Sequence, residues 1–502
     1  MKKIIILSFI LFLPIFLFAQ DWKVEWGKPY KKSRLMQKES FMVGQSKEYY
    51  YVSYDPEMKN DLLQFNHKHE LVKAFPIGKV KFGKRKKAEK IITTKAGDFF
   101  ISSSSNSFKR QDYFYATQLT NSNKKEDDPM IIFSYKTKAN VLSFSAQSPD
   151  SSKVLFSIVS AGATTFSPTK FNFFFFDTNL KNQGAQEVVL PKDFDDLTIK
   201  DIGITNSGEI YILVKRPIDR TKRWIPNNQF IIFRVNEEGI YNQNELKFKD
   251  SYPVSSTIFS DNDNIIYVAG AYTEGIKNKS NYGVYIMKFG EDNELLHFKK
   301  TPFSDKVKND LRESQMKNKW KSVTHFQIDD LVIDYKNKHF SFVGENKTYS
   351  SYTVPNRRSL IDKTTQEYTY FSGDLIIPRY TFDGELKWLF HLPKLFYSSD
   401  GHKVSSVISY QNENIFLVYN DFKSSKESEY IDHDQRKNLY SYYTDFIKIN
   451  KDGDIDMEET IFHSRDLDRP FIPGFSKRLK NGSLLLNFQD KRLFQFGTLI
   501  FR

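Results

Sequence analysis

Residues 21–31 read DWKVEWGKPYK, an alternating strand with nothing in front of it to pair with. At residues 384–394 a similar stretch, GELKWLFHLPK, follows a turn and a first strand and completes a hairpin. A lone strand leaves a row of backbone N–H and C=O groups without partners, so the opening stretch needs its other half elsewhere. Residues 491–502, KRLFQFGTLIFR, supply one alternating strand at the far end of the chain with no second strand after it.

Between these ends the sequence repeats. The clearest unit spans 255–300: SSTIFSDNDNIIYVAG, a gap, then NYGVYIMKFGEDNELLHFKK. Each piece is an alternating strand, an Asp/Asn/Gly turn and a second alternating strand, which is the pattern of a β-hairpin. The first hairpin recurs from residues 41, 91, 142, 199, 255, 331, 404 and 475, whereas complete second hairpins begin only at 61, 112, 171, 229, 281, 373 and 444. With strands labelled A to D in each unit, the carboxy end supplies A, B and C of the last unit, and residues 21–31 supply its D. Successive B strands lie about 50–56 residues apart early and about 70–75 apart later, which suits four strands plus loops.

In this arrangement the chain resembles the β-propellers, in which pairing between the chain ends closes a ring and leaves no open sheet. The repeats DNDNIIYVAG and YIMKFGEDNELLHF are similar to the "DGGYILAG … YLIKLDSDGNLLW" blades of exported bacterial propeller proteins; the WD dipeptide of another propeller class is absent. The implied fold is all-β, a single propeller of eight four-stranded antiparallel blades. A count of seven is the alternative, because the second unit has a poor second hairpin. Two separate sandwiches would leave the opening half-hairpin unexplained.

Lys2 and Lys3, the apolar run 4–18 and the small Ala19 predict a secretory signal at 1–19, cut after Ala19, followed by one propeller domain at 20–502. The run is short of the roughly 20 residues that span a bilayer and contains Pro14, which disfavours the alternative of an uncleaved anchor. The chain has no cysteine, which excludes disulfides, thiol nucleophiles, cysteine metal sites and a lipoprotein attachment point. Its 46 Phe and 28 Tyr favour β structure and supply a core without covalent staples. The formal charge of +13 falls to +11 once Lys2 and Lys3 leave, and it favours acidic partners.

In an up-and-down blade the AB and CD turns lie on one face, and the BC loops and DA connections on the other. The long segments 216–228, 304–324, 346–372 and 422–443 are all BC or DA, which marks that face as the working surface. The candidate binding residues on it are Arg216, Arg220, Arg223 and Trp224; Tyr352, Arg357 and Arg358; and His433, Arg436 and Tyr440. Aromatic rings beside Arg stack on sugars or grip a protein hot spot. The basic run KVKFGKRKKAEK at 79–90, with Lys84 and Arg85, reads as a connection on the same face that could hold phosphate or carboxylate groups of an envelope polymer.

NKDGDIDMEE (450–459) is reminiscent of a calcium loop, but Lys448 stands where the first carboxylate is needed, so a tight CD turn is the preferred reading. His67 and His69, and His433 within Asp432–Asp434, read as solvent-exposed histidines rather than metal ligands. GxSxG, Walker, GxGxxG and HExxH motifs are absent, and no carboxylate pair for a glycosidase can be chosen. No catalytic residue, metal site or cofactor is assigned. The expected protein is an exported, non-enzymatic module of the cell envelope, periplasmic, peripherally associated with the outer membrane or extracellular, that binds an envelope protein or anionic glycan and no nucleic acid. The alternative is a glycan hydrolase or lyase acting at the central mouth: carboxylates and His converging there would favour the enzyme, and Ser, Thr and apolar groups the binding module.

Overall fold

The computed structural model describes residues 22–31, 41–46, 48–54, 61–76, 87–106, 111–119, 130–136, 141–160, 169–190, 197–217, 228–236, 238–239, 241–274, 282–317, 326–355, 364–422, 442–467, 469–490 and 493–501. They form eight antiparallel sheets, each built around four strands in sequence order. Blade 1 occupies 41–76, blade 2 87–136, blade 3 141–189, blade 4 198–245, blade 5 251–302, blade 6 326–392 and blade 7 406–463. Blade 8 takes A, B and C from 477–501 and its D strand from Trp22–Trp26. The fold is an eight-bladed β-propeller. The second unit is a complete blade, with its second hairpin in Gln111–Leu119 and Met130–Lys136, and this excludes the count of seven.

The ring closes as the opening half-hairpin requires. Trp22 stands opposite Phe501 and Trp26 opposite Gly497, and a second short strand, Tyr30–Lys31, pairs with Phe494 and Leu493. The closing strand also reaches both neighbours. Trp22 Nε1 donates to Glu459 Oε2 of blade 7 at 2.8 Å, and Trp26 packs on Phe462 of that blade at 5.6 Å. Tyr30 stacks on Phe494 at 5.4 Å and meets Phe65 of blade 1 edge-on at 5.2 Å.

The core is distributed as eight apolar wedges, one between each pair of adjacent blades. Between blades 3 and 4, for example, Leu155, Phe171 and Phe173 meet Ile202, Ile212 and Phe233. Both sides of most strands face another sheet, so B and C strands such as Val154–Ser160 are buried almost throughout instead of alternating. Large rings fill these tapering spaces, which accounts for the aromatic excess.

Two departures from the sequence reading involve local structure. The segment 346–372, read as a loop, is mostly a continuation of strands His339–Pro355 and Thr364–Thr381 into a projecting two-stranded arm. The connection between blades 5 and 6 contains a helix, α1 (Asp305–Lys317), whose Leu311 is buried in the wedge between those blades. The CD turn at 450–454 is a hairpin turn, as read: Asn450 Oδ1 accepts from the N–H groups of Asp452 and Asp454, and Gly453 takes φ +93°.

His69 is a correction to the expectation of exposed histidines. It is buried at the closure, with Nδ1 bonded to Tyr50 Oη at 2.7 Å and Nε2 to Thr498 Oγ1 at 2.9 Å, so it ties the CD turn of blade 1 to blade 8. A Cβ on Gly27 would lie 2.4 Å from the His69 Cβ, which explains the glycine there.

Two predictions follow from the closure. Trp22→Ala should cost about 3 kcal/mol in urea unfolding, the usual scale for a buried Trp truncation. Burial holds His69 down at about 4, so the unfolded chain takes up that proton first. This contribution to stability is complete above pH 6.5 and drains away between 6.5 and 4, by as much as about 3 kcal/mol. His69→Asn, which tolerates the positive φ of 61° at this position, should flatten the stability profile in that window relative to wild type.

Candidate functional site

The antiparallel order places the BC and DA segments on one face. Of the sequence-selected residues, Arg216 is described fully: it stands at the end of blade 4's strand B, half-buried, and its Nε donates to Gln229 Oε1 on the adjoining strand C. Tyr352 lies on the blade 6 arm opposite Glu367 in register. Arg220, Arg223, Trp224, Arg357, Arg358, His433, Arg436, Tyr440, Lys84 and Arg85 lie outside the described residues. The basic run around Lys84 is not wholly a connection, because Lys87–Thr94 is the innermost strand of blade 2. There Lys90 is half-buried, its ammonium donating to Ser145 O and Oγ of blade 3, and desolvation pulls it down to about 8.

The structure adds a site at the axis. Five innermost strands carry a register shift near their loop-face ends, leaving Val43, Glu89, Lys200, Val254 and Asp329 as the extra residues. A β-bulge of this kind re-aims side chains locally. Between blades 4, 5 and 6 these shifts border a cavity of about 590 Å³, lined by Lys200, Asp201, Lys215, Phe230, Ser255–Thr257 and the strand from Phe326 to Leu331. Lys215 and Phe230 sit at the BC end of their strands, so the cavity opens towards the loop face, beside the strand ends that flank 218–227.

The cavity is electrostatically divided. Asp201 Oδ1 accepts from Ile202 N–H, and Asp330 Oδ1 from Leu331 N–H, each at 2.8 Å. Asp329 pairs with Lys347 at 2.7 Å. Enclosure pushes Asp201 up to about 6. Burial, reinforced by Glu345 and opposed by Lys347, raises Asp329 to about 7. Asp330 is also raised by burial, with Arg478 of blade 8 pulling the other way. Lys215 is drawn down to about 8 by burial and by repulsion from Lys200. The lining thus mixes the two chemistries distinguished from sequence: carboxyls, with no His among the described residues, together with Ser255, Ser256 and Thr257.

Asp329 is the inner end of a buried ionic chain across blade 6. Lys347 bridges it to Glu345 Oε2 at 3.1 Å, and Lys394, fully enclosed, pairs with Glu345 Oε1. Ser372 Oγ also donates to Glu345 and receives a 2.8 Å bond from Lys394 Nζ. Burial alone would raise Glu345, yet the Lys347 and Lys394 ammoniums hold it down at about 2. Outside the cavity, Tyr349, Tyr368 and Tyr370 form one aromatic surface on the arm with ring centroids 6.1–6.3 Å apart, and Tyr349 is 64% exposed.

The sequence carried a local sign of the axial residues. Ile199-Lys200-Asp201-Ile202 and Ile328-Asp329-Asp330-Leu331 each insert two charged residues into an apolar alternation, at equivalent places in blades 4 and 6. The extra residue is the bulge. The Glu345 chain had no such sign, since Glu345, Lys347, Ser372 and Lys394 converge only through strand pairing. Removing one member should strand a buried charge. Lys394→Met is therefore expected to cost about 3 kcal/mol by chemical denaturation, and adding Glu345→Gln should recover part of that loss in a double-mutant cycle.

No protein-family model matches the chain, and no curated protein matches it. Solved structures align with the chain at low similarity. Prolyl oligopeptidase B from Galerina marginata aligns at 9% identity and a TM-score of 0.41, over 93% of this chain and 54% of its own. The chain thus spans about half the length of that enzyme. The WD40 domain of SCAP from fission yeast aligns at 9% identity and 0.37, covering 96% and 98%. An oligogalacturonate lyase in complex with manganese aligns at 9% and 0.38, covering 95% and 91%.

Proposed function

We propose that the protein is an exported binding module of the cell envelope that takes part of a glycan into the axial cavity and grips the adjoining chain with the loop face. The cavity is the observation that carries this reading. Its volume of about 590 Å³ falls within the roughly 300–1,000 Å³ of small-ligand pockets. Its carboxyls, ammoniums and hydroxyls match the dense hydrogen-bonding surface of a sugar. The exposed Tyr349 and Tyr368 rings on the arm offer flat faces with polar tips for further sugar units. The signal at 1–19 supports export, and the net positive charge supports an acidic envelope partner.

A second reading, a glycan-cleaving enzyme, is favoured by one observation: two carboxyls, Asp201 and Asp329, line the same cavity, and desolvation raises both, in the direction a proton donor needs. One experiment addresses both. Protein recovered from an envelope fraction should begin at Gln20 and bind oligosaccharides from that envelope in calorimetry, with Asp201→Asn and Tyr349→Ala each weakening binding about tenfold. Absence of binding to any envelope glycan refutes the binding module, and release of shortened sugars by wild type but not by Asp329→Asn establishes the enzyme instead.

A further inference from the structure

The charged groups around the axial cavity are unequally engaged. Asp201 and Asp330 are each held by a backbone N–H of their own strand, and Asp329 by Lys347, which Glu345 shares. Lys200 and Lys215 have neither an ion pair nor a side-chain hydrogen bond among the described residues. They lie close enough to repel one another. The buried Ser255 Oγ, on the blade 5 wall of the same cavity, also has no hydrogen-bond partner among the described residues. Lys200 is exposed and Lys215 half-buried, and two ammoniums lining one cavity with an unsatisfied hydroxyl supply hydrogen-bond donors that an oxyanion can accept from.

We infer that Lys200, Lys215 and Ser255 form an anion subsite in the axial cavity, which takes the carboxylate or phosphate of an acidic sugar. The inference rests on the glycan-binding reading and specifies the charge of the ligand. Of the three carboxyls Asp329 is offset by Lys347, and Asp201 and Asp330 are turned to backbone N–H groups of their own strands, which leaves the two ammoniums to an incoming oxyanion. Lys477 and Arg478 of blade 8, which act electrostatically on Asp330, add positive potential from the other side of the axis.

The test uses the mature protein and three oligosaccharide probes of equal length: one of hexuronic acids, one carrying a sugar phosphate, and one neutral. At least one acidic probe should bind ten times or more tighter than the neutral one, and the preference should shrink as salt is raised. Which acidic probe is preferred identifies the source of the oxyanion. Lys200→Met and Lys215→Met should each remove the preference, while Lys200→Arg and Lys215→Arg, which keep the charge, should retain it. Unchanged melting temperatures show that the variants are folded, and the arginine pair guards against a merely structural loss. Equal binding of acidic and neutral probes, undisturbed by the methionine variants, overturns the anion subsite and leaves the glycan reading standing. Binding of none of the three overturns both.

Discussion

The pairing of Trp22–Trp26 with Leu493–Phe501 is the constraint on which the molecule depends. Every other blade is continuous in sequence and could assemble by local hairpin formation, but blade 8 needs strands from both ends of the chain. Until it forms, blades 1 and 7 each have one flank of apolar side chains without a partner. The wedges on either side of blade 8 contain Tyr50, Phe65, Phe494 and Phe496 towards blade 1, and Phe416, Phe446, Leu484 and Phe501 towards blade 7. The bond from Trp22 to Glu459 and those from His69 to Tyr50 and Thr498 fix the same junction by polar contacts. Closure is therefore an all-or-none event that buries two wedges together.

The interior is apolar between blades and polar at the axis, and a common geometric device separates the two. Regular alternation in B and C strands sends side chains into the wedges on both sides. In five innermost strands a bulge interrupts that alternation, and in blades 2, 4 and 6 the extra residue is charged: Glu89, Lys200 or Asp329. Blade 6 extends the polar region outward through Lys347, Glu345 and Lys394, so the wall that holds Asp329 is itself stiffened by buried charge.

Most of the architecture was legible because its signals are local. Turn residues such as Asn450 and Gly453 and alternating strands repeat often enough to reveal blade number and the missing strand. That the BC and DA segments share one face followed from topology alone. The arm of blade 6 was misread as a loop because residues 347–355 are mostly small, hydroxyl-bearing or aromatic and show no apolar alternation. His69 was misread because its burial comes from residues more than 400 positions away. The central mouth was named from sequence as the alternative place of action, but its residues were not, and the residues chosen were those of long loops rich in Arg and Tyr. Composition drew attention to the rim, whereas the cavity arises from register shifts within strands, which become visible only when blades 4, 5 and 6 stand side by side.

The antiparallel register of blade 8 also fixes an orientation. Trp22 begins its strand at the end where Phe501 finishes, and both lie on the side of the short AB and CD turns. Any polypeptide continuing backwards from the first strand or forwards from the last must therefore leave the disc from the side opposite the cavity. A tether at either terminus would hold the propeller by its back, with the axial opening and the tyrosine-bearing arm turned away from the point of attachment.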